Sequence, residues 1–303
     1  VSDSPGPADP RDVDATLQVV RLQLFRENIG GALDMLETAY TKHPDVRYAE
    51  QAARIRSWLT HLDDRESYMR AQETQYRRLR ARPGLKLMER CVRIWSGRKT
   101  RKMVQRRARD PEFVELERQI DALGAARVLD AGCGEGAVAM AVAARHPGAR
   151  VEGVDVSAVN VRTARRLNRF ANAGFRQGLA EEVHLAFPPE AFDLVYSFAV
   201  LEHVRAVDAT IESILSVLRP GGRFCFVVPM HEFRATGPLP EYVPIHGYAD
   251  HCRVFSEREL IDRFGDEPDF TLVKIPGTYK PGEFPAAIEP IEFGSFFVAF
   301  AKP

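Results

Sequence analysis

The chain has 303 residues with 42 basic and 42 acidic side chains. Its formal charge near neutral pH is zero, which gives no overall attraction to nucleic acid or to an acidic membrane surface. A chain of this length can bury one large core or two modest ones, and it contains no apolar run near the roughly 20 residues of a membrane-spanning helix. The four cysteines (Cys91, Cys133, Cys225, Cys252) are too scattered for a metal-type pair, which reads as reduced thiols in a cytoplasmic protein.

In chain order, residues 1–14 are rich in Pro, Asp and Ser and lack the basic and apolar regions of a secretory signal, so a flexible N-terminus is expected. Val13 to Arg26, Ala32 to Lys42 and Val46 to Leu62 have helical apolar spacing, with breaks at Gly30-Gly31 and His43-Pro44. The stretch around Ala32 to Leu62 resembles a tetratricopeptide-type hairpin (Ala32, Leu36, Ala39, Tyr40, Pro44). There are too few repeats for a solenoid, and a helical cap on a catalytic unit is the reading preferred. From Tyr76 to Asp110 fourteen basic residues face only Glu89 and Asp110. Interleaved apolar residues argue for folded helices here, either with a solvated basic face or with a face for an anionic substrate. Only Tyr76 and Trp95 are available for base stacking, which counts against RNA.

Beyond residue 125 the pattern changes. Ala126 to Leu129 reads as a short strand ending at Asp130, followed by Gly132, Gly134 and Gly136 and then a helix from Ala137 to Arg145. A strand, a tight turn and a helix N-terminus in this order can present backbone N–H groups to a polar ligand, and glycine lets the ligand approach the backbone. About twenty residues on, the strand Val151 to Asp155 ends in an acid placed to accept from ribose hydroxyls. These features point to a nucleoside-containing cofactor. Gly132-x-Gly134-x-x-Ala137 alone also satisfies a dinucleotide fingerprint.

Asp130-x-Gly132-x-Gly134-x-Gly136 resembles the first motif of class I S-adenosylmethionine-dependent methyltransferases. Ala191 to Ser197 resembles the fourth strand of that family, Val200-Leu201-Glu202-His203-Val204 the turn after it, and Leu218 to Arg223 the turn before a fifth strand, Phe224 to Val228. The resemblance implies a Rossmann-like seven-stranded doubly wound α/β sheet with a C-terminal antiparallel hairpin (Phe270 to Ile275 and Phe293 to Ala301), preceded by an α-helical domain. The division expected is 1–14, 15–110 and 111–303. S-adenosyl-L-methionine is the implied cofactor, with contacts from Asp130, Ala131, Gly132, Cys133, Gly134 and Gly136, from Asp155 and Val156, and from Ala180, Glu181 and Phe198. The acid expected to read the adenine amino group falls at Leu179 by one alignment and at Glu181 by another; Glu181 is preferred. Cys133 is read as a small packing residue.

Transfer to a hydroxyl needs a base, and a histidine with its ordinary pKa of about 6.5 can serve. The candidates are His203 in the turn after the fourth strand, and His246 and His251 in the stretch Met230 to Arg253. That stretch reads as a long irregular acceptor loop, with a helix starting at Ser256 through a Ser-x-x-Glu capping box. His246 and His251 with Asp250 or Glu202 have suggestive spacing for a divalent metal, but a metal-free site is the reading taken. The function expected is O-methylation of a small molecule or sugar, in anionic form if the basic segment touches it. N- or C-methylation and a non-catalytic cofactor-binding protein are the alternatives. Nucleic acid is not an expected partner, and homo-oligomerisation is left open.

Overall fold

The computed structural model describes residues 10–25, 29–59, 66–70, 73–74, 100–204, 206–238, 255–277 and 287–303. Three N-terminal helices, α1 (Pro10–Phe25), α2 (Ile29–Lys42) and α3 (Val46–Leu59), share a small core of their own, with Val20, Leu24, Leu36 and Ile55 fully or almost fully buried. The break expected at Gly30-Gly31 lies instead inside the first turn of α2. Glycine is tolerated there because the first amides of a helix have no intrahelical partner to lose.

A helical run at 100–107 leads into α4 (Pro111–Leu123). Pro111 opens α4, where a missing N–H costs nothing, and Gly124 closes it with φ of 60°. Next come β1 (Arg127–Ala131), α5 (Ala137–Arg145), β2 (Arg150–Asp155), α6 (Ala158–Leu167), β3 (Ala173–Gln177), the short α7 (Val183–Ala186), β4 (Phe192–Phe198), α8 (Val207–Val217) and β5 (Leu218–Ala235). Then follow α9 (Glu257–Phe264), β6 (Thr271–Pro276) and β7 (Ile288–Ala301). Ser256 caps α9 by accepting from the Glu259 amide at 3.1 Å, as its spacing predicts.

The seven strands lie in the order β3-β2-β1-β4-β5-β7-β6. The first five pair in parallel, and β7 is antiparallel to both β5 and β6. This is the expected Rossmann-like sheet with its antiparallel end.

Alternation along the strands builds two cores. Leu129, Val195, Phe224, Phe226, Val298 and Phe300 face α8 and α9; Val128, Leu194, Tyr196, Cys225, Val227 and Phe297 face α4, α5 and α6. Successive residues belong to opposite faces because the side-chain period of a strand is two. On the first face Phe264 stacks on Phe300 at 5.3 Å and meets Phe226 edge-on at 5.4 Å. Fully burying one such ring contributes about 1.5–3 kcal/mol. At the opposite end of the strands from Asp130 and Asp155, Asp193 accepts from the Ala126 and Arg127 amides (3.0 and 2.8 Å) and from Arg219 (2.8 Å). Partial burial pushes its carboxyl up, but these donors outweigh it and hold it below the usual range.

One expectation is corrected. Met230 to Arg253 does not begin as an irregular loop, because β5 continues to Ala235 and Met230 to Ala235 pair with Gly294 back to Ile288. The ladder partner lies more than fifty residues away, so local composition did not reveal it. Residues 239–254 lie outside the described residues. At the base of this ribbon Gly294 has φ of 153°, and a Cβ there would overlap the Ile275 carbonyl oxygen. Gly294→Ala should therefore destabilise the fold by about 2 kcal/mol or more. Gly148→Ala, where a Cβ would meet nothing within 4 Å, should stay within about 0.5 kcal/mol of the parent. Urea unfolding of both variants checks the contrast.

Candidate active site

The parallel strands reverse their order between β1 and β4, and open α/β sheets bind ligands beyond the C-terminal strand ends at such a point. A cavity of about 830 Å³ lies there, walled by Asp130, Gly132, Gly134, Asp155, Phe198 and His203 among others.

The loop between β1 and α5 is fastened to the end of β2. The amides of Gly132 and Cys133 both donate to the Val154 carbonyl at 2.8 Å, and the Gly134 amide donates to Asp155 Oδ2 at 2.8 Å. The Gly136 amide turns back to the Cys133 carbonyl. These amides therefore hold the loop itself, and the expected presentation of N–H groups to a ligand does not extend to them. The glycines also divide by role. Gly132 and Gly136 adopt φ of 99° and 78° under close neighbours: a Cβ on Gly132 would overlap Val200, and one on Gly136 would lie 2.6 Å from the Phe175 ring. Gly134, φ of 52°, lines the cavity, and a Cβ there would meet no atom within 4 Å. Gly134 alone of the three leaves space where a side chain would stand.

Two acids dominate the electrostatics. Asp155 is 5% exposed and is held by three donors: the Gly134 amide, the Ser157 amide at 2.9 Å and Asn160 Nδ2 at 3.1 Å. Burial pushes its carboxyl up, and these donors act against that. Asp130 is 2% exposed and accepts from the Tyr196 hydroxyl at 2.8 Å. Burial raises its carboxyl to about 7, against the lowering effect of that hydroxyl and of the Ala139 amide. The neighbouring Cys133 thiol is pushed well above its usual range by burial and by both acids. A thiol so held stays protonated, in keeping with a packing role.

The remaining candidates are distributed as follows. Val156, Ala180, Glu181, Phe198 and Cys133 line the cavity; Ala131 and Gly136 do not, and support the loop from behind. Leu179 and Glu181 both reach the wall, with Leu179 buried and Glu181 accepting from the Ala206 amide at 3.3 Å. His203 is half-buried on the wall, its amide bonded to the Val200 carbonyl at 2.9 Å, and Glu202 beside it is buried. His246, His251 and Asp250 lie outside the described residues. Among the described residues no group of three or more His, Cys, Asp or Glu side chains is arranged to hold a metal ion, and no helix is long and apolar enough to cross a membrane.

Several wall residues were missed by sequence reasoning. Tyr68, Met103 and Phe113 come from the segments preceding β1, as do Lys102, Arg106 and Arg107. Glu73 accepts from the Ser157 hydroxyl at 2.9 Å and the Val159 amide at 3.3 Å, fixing the N-terminal flank against the start of α6. The basic composition marked residues 77–109, but nothing local pointed to Tyr68 or Glu73.

Strand order, cavity position and an anchored acid at the end of β2 define a Rossmann-like nucleoside-binding domain. Its relatives narrow that class. Residues 98–275 match the family described as "Methyltransferase domain". The chain is 39% identical over 98 residues to the ubiquinone biosynthesis O-methyltransferase of a Chelativorans species, covering 32% of this chain and 37% of that protein. It is 31% identical over 170 residues to the enzyme of the same name from an Azoarcus species, covering 52% of this chain and 70% of that protein. Among solved structures it is similar to phosphoethanolamine N-methyltransferase 2 of Haemonchus contortus in complex with S-adenosyl-L-methionine, at 19% identity and a TM-score of 0.44, covering 58% of this chain and 48% of that one. The chain belongs to the methyltransferase-domain family, within the class I S-adenosylmethionine-dependent group that its motifs resemble. The matched stretches span between 37% and 70% of the two curated relatives.

The walls suit such a cofactor: buried acids face a cavity with room at Gly134, and the acid at the end of β2 is already oriented. Asp130 makes this testable. With its carboxyl near 7, it is about half protonated at pH 7. A cationic ligand favours the ionised form, so binding releases a proton below that pH. The affinity for S-adenosylhomocysteine, whose amino group is cationic, should therefore rise between pH 6 and 8 and level off above. In Asp130→Asn the affinity should be weaker and nearly flat. Calorimetry across that range decides, and a flat profile for the parent would remove Asp130 from the cofactor's contacts.

Proposed function

We propose that this chain transfers a methyl group from S-adenosyl-L-methionine to a hydroxyl oxygen of a small molecule or sugar. The observation that carries the reading is His203, placed on the same cavity wall as Asp130, Gly134 and Asp155. A candidate cofactor site and a histidine thus share one enclosure. The family membership supports methyl transfer, and the two curated relatives above are named as O-methyltransferases.

When bound, S-adenosyl-L-methionine supplies an electrophilic methyl on a sulfonium. The chain's own work is to bind, align and deprotonate. Asp155 would hold the ribose hydroxyls from its anchored position, Asp130 would face the amino end, and Ala180 and Glu181 would border the adenine. Gly132, Cys133, Gly134 and Gly136 with Ala131 shape the loop around the donor, and Val156 and Phe198 close its apolar sides. His203 would take the acceptor's hydroxyl proton on a ring nitrogen, and the walls that hold donor and acceptor together would supply proximity for the rest of the rate. His246 and His251 are proposed as further candidates for the general base. Residues 15–110 are proposed as a helical domain before a catalytic part at 111–303, and the protein as a cytoplasmic enzyme.

A panel of phenols, catechols, hydroxy acids and sugars incubated with methyl-labelled cofactor should yield a methyl ether. On the acceptor found, His203→Ala should lower kcat by about 10²–10⁴ while the dissociation constant for S-adenosylhomocysteine stays within about twofold. Methylation confined to amines, or full turnover by His203→Ala, would overturn the hydroxyl reading.

A further inference from the structure

The helical run at 100–107 divides its residues by face. Thr100 is buried and donates its hydroxyl to the Leu167 carbonyl at 2.8 Å, and Val104 and Ala108, at successive four-residue steps, pack on the core beside α4, α5 and α6. Lys102 and Arg106, also four apart, are exposed and line the cavity together with Met103 and Arg107. Arg107 is paired with Asp110 at 2.9 Å. Among the described residues no acid is placed within ion-pair distance of Lys102 or Arg106.

The acids on the same wall are committed elsewhere. Asp130 holds Tyr196, Asp155 holds three donors, Glu181 accepts from the Ala206 amide, and Glu112 accepts from the Ser295 hydroxyl at 2.7 Å. Asp110 holds Arg107, and Glu135 makes contacts of its own. Two like charges four residues apart on a helix cost a few tenths of a kcal/mol. At that spacing their Cβ atoms stand about 5–6 Å apart, so both side chains can reach one carboxylate or phosphate group.

We propose that Lys102 and Arg106 form an anion subsite for the methyl acceptor, so that the acceptor is a hydroxylated small molecule bearing a carboxylate or a phosphate. The inference rests on the methyl-transfer reading and names the substrate class of the same cavity. The same chemistry could be supplied by the cofactor's own α-carboxylate, and the test separates the two.

The full chain, saturated with S-adenosylhomocysteine, is titrated calorimetrically with glycerol 3-phosphate and with propane-1,2,3-tricarboxylate, glycerol serving as the neutral control. The same titrations are run on Lys102→Ala/Arg106→Ala and on the charge-keeping Lys102→Arg/Arg106→Lys. At least one anion should bind the parent, glycerol should not, and binding should weaken as salt screens the charges. The alanine pair should bind the anion at least about tenfold more weakly, and the charge-keeping pair within about threefold of the parent. S-adenosylhomocysteine should bind all three proteins within about twofold of one another.

Equal anion binding by parent and alanine pair, or no anion binding by the parent at millimolar concentration, overturns the subsite. A loss of about tenfold or more in S-adenosylhomocysteine affinity in the alanine pair assigns the charges to the cofactor and likewise overturns it. Failure of the parent to bind S-adenosylhomocysteine removes the methyl-transfer reading itself, and the subsite with it. Intact cofactor-product binding with no anion response removes the subsite alone.

Discussion

The end of β2 holds the site together. Its last two residues receive three amides from the glycine loop: Gly132 and Cys133 on the Val154 carbonyl, and Gly134 on the Asp155 carboxylate. β1 and β2 are adjacent parallel strands in register from Arg127 and Arg150, so the loop leaving one strand can close onto the end of the next. Ser157 and Asn160, at the start of α6, complete the acid's coordination from the other side. Two loops and a helix start thus share one buried carboxylate, and leaving such a group without partners would cost several kcal/mol. The cavity's shape follows from this knot.

A loop tied in this way changes what its glycines are for. The amides of Gly132 and Gly136 serve the protein, and both residues are glycine because the backbone is left-handed there and Val200 or Phe175 stands close. Gly134 is the position where the missing side chain opens space toward the cavity. A cofactor seated here would be held by fit and by anchored carboxylates more than by a ring of free backbone donors. That suits a cationic donor, for which acceptors matter more than amides.

The parts of the fold that could be read from the sequence are those whose signals are local. The glycine loop, the acids at the ends of β1 and β2 and the cap at Ser256 each lie within a few residues of what they determine. The stretch Leu218 to Arg223, expected as a turn before the fifth strand, lies instead inside β5, where the register to β4 shifts and Gly221 takes φ of 66° with its amide on the Lys302 carbonyl. What stayed hidden depends on distant partners. The extension of β5 to Ala235 needs the strand from Ile288, and the place of Tyr68 on the cavity wall and of Glu73 against Ser157 needs the tertiary fold. The histidines illustrate both cases. His203 sits five residues past the end of β4 and was placed by its motif. His231, expected in an irregular loop, is a strand residue opposite Phe293.

The acids at the strand ends and the cations on the cavity wall come from different parts of the chain. The acids Asp130, Asp155 and Glu181 come from strand ends and the turns beside them, within about fifty residues of one another. The cations Lys102, Arg106 and Arg107 come from a helical run preceding the first strand, which touches the scaffold through Thr100, Val104 and Ala108. The three amide bonds at the end of β2 run between the glycine loop and Val154 or Asp155, and none of the three involves residues 100–107.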